Sequence, residues 1–125
     1  MGAHLEPALT LLPTLDPRQL RSLLDLGAEP ALIQELVGLF EADVPPRLVA
    51  LTSALADGHA AGVVEEAHHL KGSLGNMGLV RFADLATRLE EVAREGRMAE
   101  AIPFVSAMPE AYREALAALK AVFPA

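Results

Sequence analysis

The sequence predicts an all-α domain: an antiparallel four-helix bundle, up-down-up-down, with an additional short N-terminal helix. Three observations carry this. Ala (23) and Leu (22) supply 45 of the 125 residues, against 15 for Val, Ile and Thr together. Ala and Leu favour helices, whereas β-branched residues favour strands. Apolar residues recur at spacings of three and four, the period of a helix face, and prolines and glycines punctuate the runs. Long amphipathic helices with short connections pack antiparallel.

Residues 1–15 contain Pro7 and Pro13 and little periodicity, which predicts an irregular arm; residues 16–125 are expected to form the bundle. Asp16-Pro17 reads as an N-cap followed by proline at the first helical position. The short helix it opens is stopped at Gly27. Pro30 starts a second helix carrying Leu32, Leu36, Leu39 and Phe40. Pro45-Pro46 interrupts it, yet Leu48, Leu51 and Leu55 resume the pattern. One bent helix over 30–56 is expected, with two helices meeting at Pro45 as the alternative. Asp57-Gly58 stops this helix, and Asp57 is expected to cap the third, which carries Val63, Ala67, Leu70, Leu74 and Met77. A fourth helix, about 79–95, places Phe82, Leu85, Leu89 and Val92 on one face. Asp84–Arg88 and Glu90–Arg94 are expected as i,i+4 pairs on its wet side. Gly96 ends it. The last helix, about 98–122, contains Pro103, expected in a first turn, and Pro109, expected to bend it.

Composition excludes several functions. A net charge of −7 weighs against nucleic acid and anionic membrane as partners, since both demand a basic footprint. With no Cys there is no disulfide, thiol nucleophile or Cys-based metal site. There is no apolar run of about 18 residues to cross a membrane and no basic leader before the first apolar stretch. A cytoplasmic monomer is expected.

The informative stretch is Glu65-Glu66-Ala67-His68-His69-Leu70-Lys71-Gly72-Ser73-Leu74-Gly75-Asn76-Met77-Gly78. On a wheel of about 100° per residue with His68 at zero, the core set lies on the opposite half; Gly72 falls at about +40°, Gly75 at about −20°, Ala61 at about +20° and Lys71 at about −60°. His68 therefore points away from the bundle, flanked by the smallest side chains. Each glycine costs the helix roughly 1 kcal/mol relative to alanine. Gly72, Gly75 and Gly78 thus cluster where a scaffold gains nothing from them. Fraying or close approach of a neighbouring helix would explain this. So would access, because a bulky partner could bring a reacting group to the imidazole without meeting a Cβ. A neutral imidazole, with an unperturbed pKa of ~6.5, is a nucleophile near neutral pH and can accept a phosphoryl group covalently. Lys71, one turn on, is placed to meet a phosphoryl oxygen.

Other readings are weaker. His69 lies about 100° round from His68 and reads as a boundary residue. A metal site of His68, His69 and Glu65 or Glu66 fails because adjacent helical side chains diverge and H-E-x-x-H is absent; a phosphate loop fails because G-x-x-x-x-G-K-[ST] is absent. Ser73 reads as a local backbone-bonding hydroxyl. Arg81, Arg88 and Arg94 read as a solvated face.

Ala67-His68-His69-Leu70-Lys71-Gly72-Ser73 resembles the acceptor motif of histidine-containing phosphotransfer (HPt) domains, A-H-x-L-K-G-S-S followed by a small loop and G-A. Phe40–Leu48 is similar to the family's second-helix segment, and Leu85–Glu90 with Gly96 to its next helix. Leu74 replaces the motif's second Ser, and Leu79 stands where Ala is common. The resemblance implies a four-helix bundle with an extra N-terminal helix. It also implies that His68 is the phosphoacceptor, Lys71 its electrostatic helper and Gly72 the access glycine. A receiver-domain phospho-aspartate would supply the phosphoryl group, and another receiver aspartate would take it. Ala61, Val64, Glu65 and Gly75 are expected to meet the partner. Response-regulator receivers and a hybrid histidine kinase are the expected partners; Mg²⁺ is expected in the receiver and no cofactor in this chain. The chain is expected to be a covalent carrier rather than a kinase, since 125 residues leave no room for an ATP-binding domain beside the bundle. A non-phosphorylated docking or self-associating bundle is the alternative.

Overall fold

The computed structural model describes residues 12–125, so the first eleven residues of the expected arm lie outside the described residues. Among the described residues there are five helices and no strand: α1 (Arg18–Asp25), α2 (Pro30–Ala56), α3 (Ala60–Asn76), α4 (Val80–Arg94) and α5 (Met98–Val122). Helix α2 packs on α3, α3 on α4, α4 on α5, and α5 back on α2; the α3–α4 contact is the most extensive. Residues 57–59, 77–79 and 95–97 are the only links between successive long helices. Such short links force antiparallel neighbours, so the ring closes as an up-down-up-down bundle.

The links share one device. At the end of α3, the Gly78 N–H donates to the Gly75 carbonyl (3.0 Å) and the Leu79 N–H to the Leu74 carbonyl (3.0 Å). This is the paired 5→2 and 6→1 bonding that satisfies the last carbonyls of a helix around a left-handed residue. Gly78 has φ +76°, a conformation open to glycine at no steric penalty. The same pairing recurs at Asp57-Gly58-His59 and Glu95-Gly96-Arg97. It corrects the role expected of Asp57. This residue is consumed in the turn that ends α2, and His59 precedes α3 with no side-chain cap.

Helix α2 is a single run through Pro45 and Pro46. Each proline removes one donor to the carbonyl four residues back. Those carbonyls belong to Glu41 and Ala42, which are exposed, so water can pair with them. Helix α5 likewise continues through Pro103 and Pro109. Pro103 is in its second turn rather than its first, tolerated because the orphaned carbonyl belongs to exposed Ala99. The core is aliphatic, with Leu51, Val63, Leu70, Leu85, Leu89, Ala115 and Leu119 fully buried. Phe40 on α2 stacks on Tyr112 of α5, centroids 5.2 Å apart.

The chain ahead of α1 is anchored. Asp16 donates its backbone N–H to the Gly78 carbonyl (2.7 Å). Arg81 on α4 donates its backbone N–H to the Pro13 carbonyl (3.2 Å) and its guanidinium to the Leu12 carbonyl (2.7 and 3.0 Å). Asp16 accepts the Arg18 backbone N–H at 3.0 Å, as a cap would, and its pairing with the Arg18 guanidinium and this N–H holds its carboxyl at about 2. Leu20 inserts α1 into the core.

Candidate functional site

Val63, Ala67, Leu70 and Leu74 fix the rotation of α3 by facing the core, and this places His68 outward, 66% of its side chain exposed. Leu74 and Leu79, the two departures from the acceptor motif, are both buried apolar residues. Both pack in the core, and neither is part of the exposed face around His68.

The expected fourth-helix pair needs correction. Asp84–Arg88 forms as expected at 2.7 Å, and Glu90 pairs with Arg94, but Glu90 is not on the wet side. Its side chain is only 7% exposed, wedged against α3, and three donors converge on it. His68 Nδ1 lies 3.0 Å from Oε2, Lys71 Nζ lies 2.7 Å from Oε1, and the Arg94 guanidinium also meets Oε2. Burial pushes the Glu90 carboxyl up, but the hydrogen bonds from Lys71, Arg94 and His68 outweigh it and hold the group down at about 2. Glu90 is therefore a carboxylate at any working pH. A carboxylate only accepts hydrogen bonds, so the His68 nitrogen facing it must carry the proton. In the neutral ring the lone pair is then on Nε2. Arg94 is correspondingly part of this cluster rather than a bystander on a solvated face.

The glycines separate into two kinds. A Cβ at Gly72 or Gly75 would meet nothing within 4 Å, so no neighbouring helix packs there, and α3 continues unbroken past both. Neither fraying nor close packing accounts for them. Gly78 differs: a Cβ there would sit 2.1 Å from the Asp16 carbonyl oxygen. It belongs to the turn and not to the exposed patch. Of the residues expected to meet a partner, Ala61, Glu65 and Gly75 are exposed and Val64 is half-buried.

His69 stands at the bundle edge, Nε2 3.5 Å from Asp43 Oδ2. Asp43 in turn pairs with Arg47, which reaches Glu66 at 3.0 Å. Ser73 bonds locally, to the His69 and Leu70 carbonyls. Among the described residues no group of three or more His, Cys, Asp or Glu could hold a metal ion, and no helix is long and apolar enough to cross a membrane. Sequence reasoning missed Glu90. The available signal was its place on a stripe with Ala86 and Ala93, four before and three after it, both buried.

A closed helical bundle that displays one imidazole on an unencumbered helix face is the architecture of a small histidine phosphotransfer module. The sequence model of the Hpt domain family matches residues 35–122. The fold is similar to the crystal structure of histidine-containing phosphotransfer protein B (HptB) from Pseudomonas aeruginosa PAO1. That similarity has a TM-score of 0.74 and 32% identity, covering 89% of this chain and 95% of that one. A comparison with curated protein sequences finds no match. The chain belongs to the Hpt domain family and has a phosphotransfer role in two-component signalling.

Proposed function

We propose that this chain is a phosphorelay intermediate in which His68 Nε2 is the acceptor atom. It takes a phosphoryl group from the phospho-aspartate of a receiver domain and passes it to the aspartate of another. The observation that carries this is the His68–Glu90 hydrogen bond at 3.0 Å, which favours the tautomer with the proton on the inner nitrogen and the lone pair on the outer one. In the forward step that lone pair attacks phosphorus, the P–O bond to the receiver aspartate breaks, and the aspartate keeps the electron pair. Lys71, half-exposed beside the ring, offers a cation to the phosphoryl oxygens. Gly72 and Gly75 leave the approach clear, and Ala61, Val64 and Glu65 border the docking face. The chain itself holds no cofactor in this reading; Mg²⁺ comes with the receiver. It acts as a monomer, and a hybrid histidine kinase is a fitting source of the donor receiver.

Incubation with a phosphorylated receiver tests this. Acid-labile, base-stable label should appear on the wild type and be absent from His68→Gln, with the helical circular-dichroism signal unchanged. Receiver binding without label on the wild type would establish the docking-bundle alternative instead.

A further inference from the structure

The mechanism above uses Glu90 only to orient the free imidazole, but its surroundings imply a second role once the ring is phosphorylated. This inference rests on His68 being the acceptor. The charged groups around the ring are Glu65, one turn before it, and Lys71 on α3 and Glu90, Glu91, Arg94 and Glu95 on α4; Lys71 and the four on α4 line an open depression with Thr87. In the free protein the Glu90 charge is shared by two cations as well as by Nδ1–H. Lys71 and Arg94 are 38% and 62% exposed, whereas Glu90 is 7% exposed. The cations can swing on long stems; the carboxylate cannot leave. A phosphoryl group on Nε2 brings two negative charges into the depression, and these compete for Lys71 and Arg94. The undivided Glu90 charge then falls on Nδ1–H.

We propose that Glu90 keeps the phosphorylated protein in its reactive form, by holding the proton on Nδ1 while Nε2 carries the phosphoryl group. The proton accounting decides what leaves. Attack by the neutral ring gives an N-phosphorylated imidazolium whose proton is still on Nδ1. If that proton stays, an aspartate oxygen of the next receiver attacks phosphorus, the P–Nε2 bond breaks, its electron pair returns to Nε2, and neutral imidazole departs. If the proton were lost to water, the leaving group would be an imidazolide anion, a far stronger base and a poorer leaving group. Glu90 thus makes the module a conduit rather than a store of phosphoryl groups. It acts through the ring and is a positioning residue.

The test uses the full chain, wild type and Glu90→Gln, phosphorylated with phosphoramidate so that uptake needs no receiver. Gln keeps the size and one acceptor for Nδ1–H but removes the charge. Two quantities are read: the decay of the label in buffer, and the ¹⁵N signal of His68 Nδ1. In the wild-type phosphoprotein Nδ1 should remain protonated at about pH 8, above the ordinary imidazole value of ~6.5. In Glu90→Gln that proton should be lost, and the label should last about thirtyfold longer, the factor carried by the roughly 1.5 pH units between ~6.5 and pH 8. Equal lifetimes in two labelled, folded proteins would overturn this inference and leave the acceptor assignment standing. A deprotonated Nδ1 in the wild type would do the same, even if the variant failed to fold. Absence of label at His68 in the wild type would overturn both.

Discussion

Gly72 and Gly78 lie six residues apart on the same stretch of chain and serve opposite ends. A methyl group at Gly78 has no space, pressed between the turn and the Asp16 carbonyl; at Gly72 it has nothing but space. Gly78 joins α3 to the segment ahead of α1 and to α4 through backbone hydrogen bonds. Around Gly72, α3 is joined to α4 by charge, through Glu90 with His68 and Lys71. The same residue type marks a closed joint in one place and an open approach in the other, and only the surroundings tell them apart.

The sharpest way to break this comparison is to fill both glycines. Gly78→Ala should lower stability by about 2–4 kcal/mol, combining left-handed backbone strain with a forced shift of Asp16. Thermal denaturation followed by circular dichroism reads it, and an unchanged midpoint would mean the turn is not a closed joint. Gly72→Leu should leave the midpoint unchanged or raised, because glycine in an exposed helix interior costs roughly 1 kcal/mol. Transfer from a phosphorylated receiver should slow at least about tenfold, about 1.4 kcal/mol of barrier. Parallel loss of stability and transfer would show that Gly72 is structural after all.

The ionic joint should respond to acid where the backbone joint does not. The folded-state pKa of Glu90 is lowered from 4.5 to about 2. A depressed carboxylate stabilises the fold above its unfolded value and loses that contribution as pH falls through 4.5 toward 2. With Lys71 and Arg94 partly exposed, the loss is about 1–2 kcal/mol. Denaturant midpoints for the wild type should fall over that window, and the difference from Glu90→Gln should shrink with them. A difference that stays constant with pH would assign the Glu90 effect to packing.

The bundle was legible because its evidence is periodic. Leucines recur at spacings of three and four on both sides of Pro45-Pro46, and α2 is indeed one helix. Its buried line, however, is Ile33, Val37, Phe40, Val44 and Leu51, and Leu39, expected on the apolar face, is exposed. His68 was legible because its exposed position follows from the same phase as its buried neighbours. Glu90 was not, because an i,i+4 pairing with Arg94 says nothing about depth. Depth is set by α3, whose His68 and Lys71 close over Glu90, a contact between helices that spacing along α4 does not give. Asp57 and Gly78 failed for a related reason. Each sits where a cap, a turn and a docking contact compete for one residue, and the winner depends on hydrogen bonds to residues elsewhere in the turn or, for Gly78, as distant as Asp16.

The smallest expected effect tests the site from next door. His69 shares helix and side-chain type with His68, yet its partner Asp43 lies 3.5 Å away and is itself 46% exposed. It faces the apolar groove of Leu39, Phe40 and Met77 between α2 and α3, with neither Lys71 nor Glu90 beside it. A surface pair of this kind contributes about 0–1 kcal/mol. His69→Gln should therefore shift stability by less than about 0.5 kcal/mol and leave label uptake from phosphoramidate unchanged. Two adjacent imidazoles would then differ in reactivity through their surroundings, Glu90, Lys71 and the open approach over Gly72 and Gly75 serving only one of them. Loss of label in His69→Gln with retention in His68→Gln would move the acceptor one residue along and detach it from Glu90.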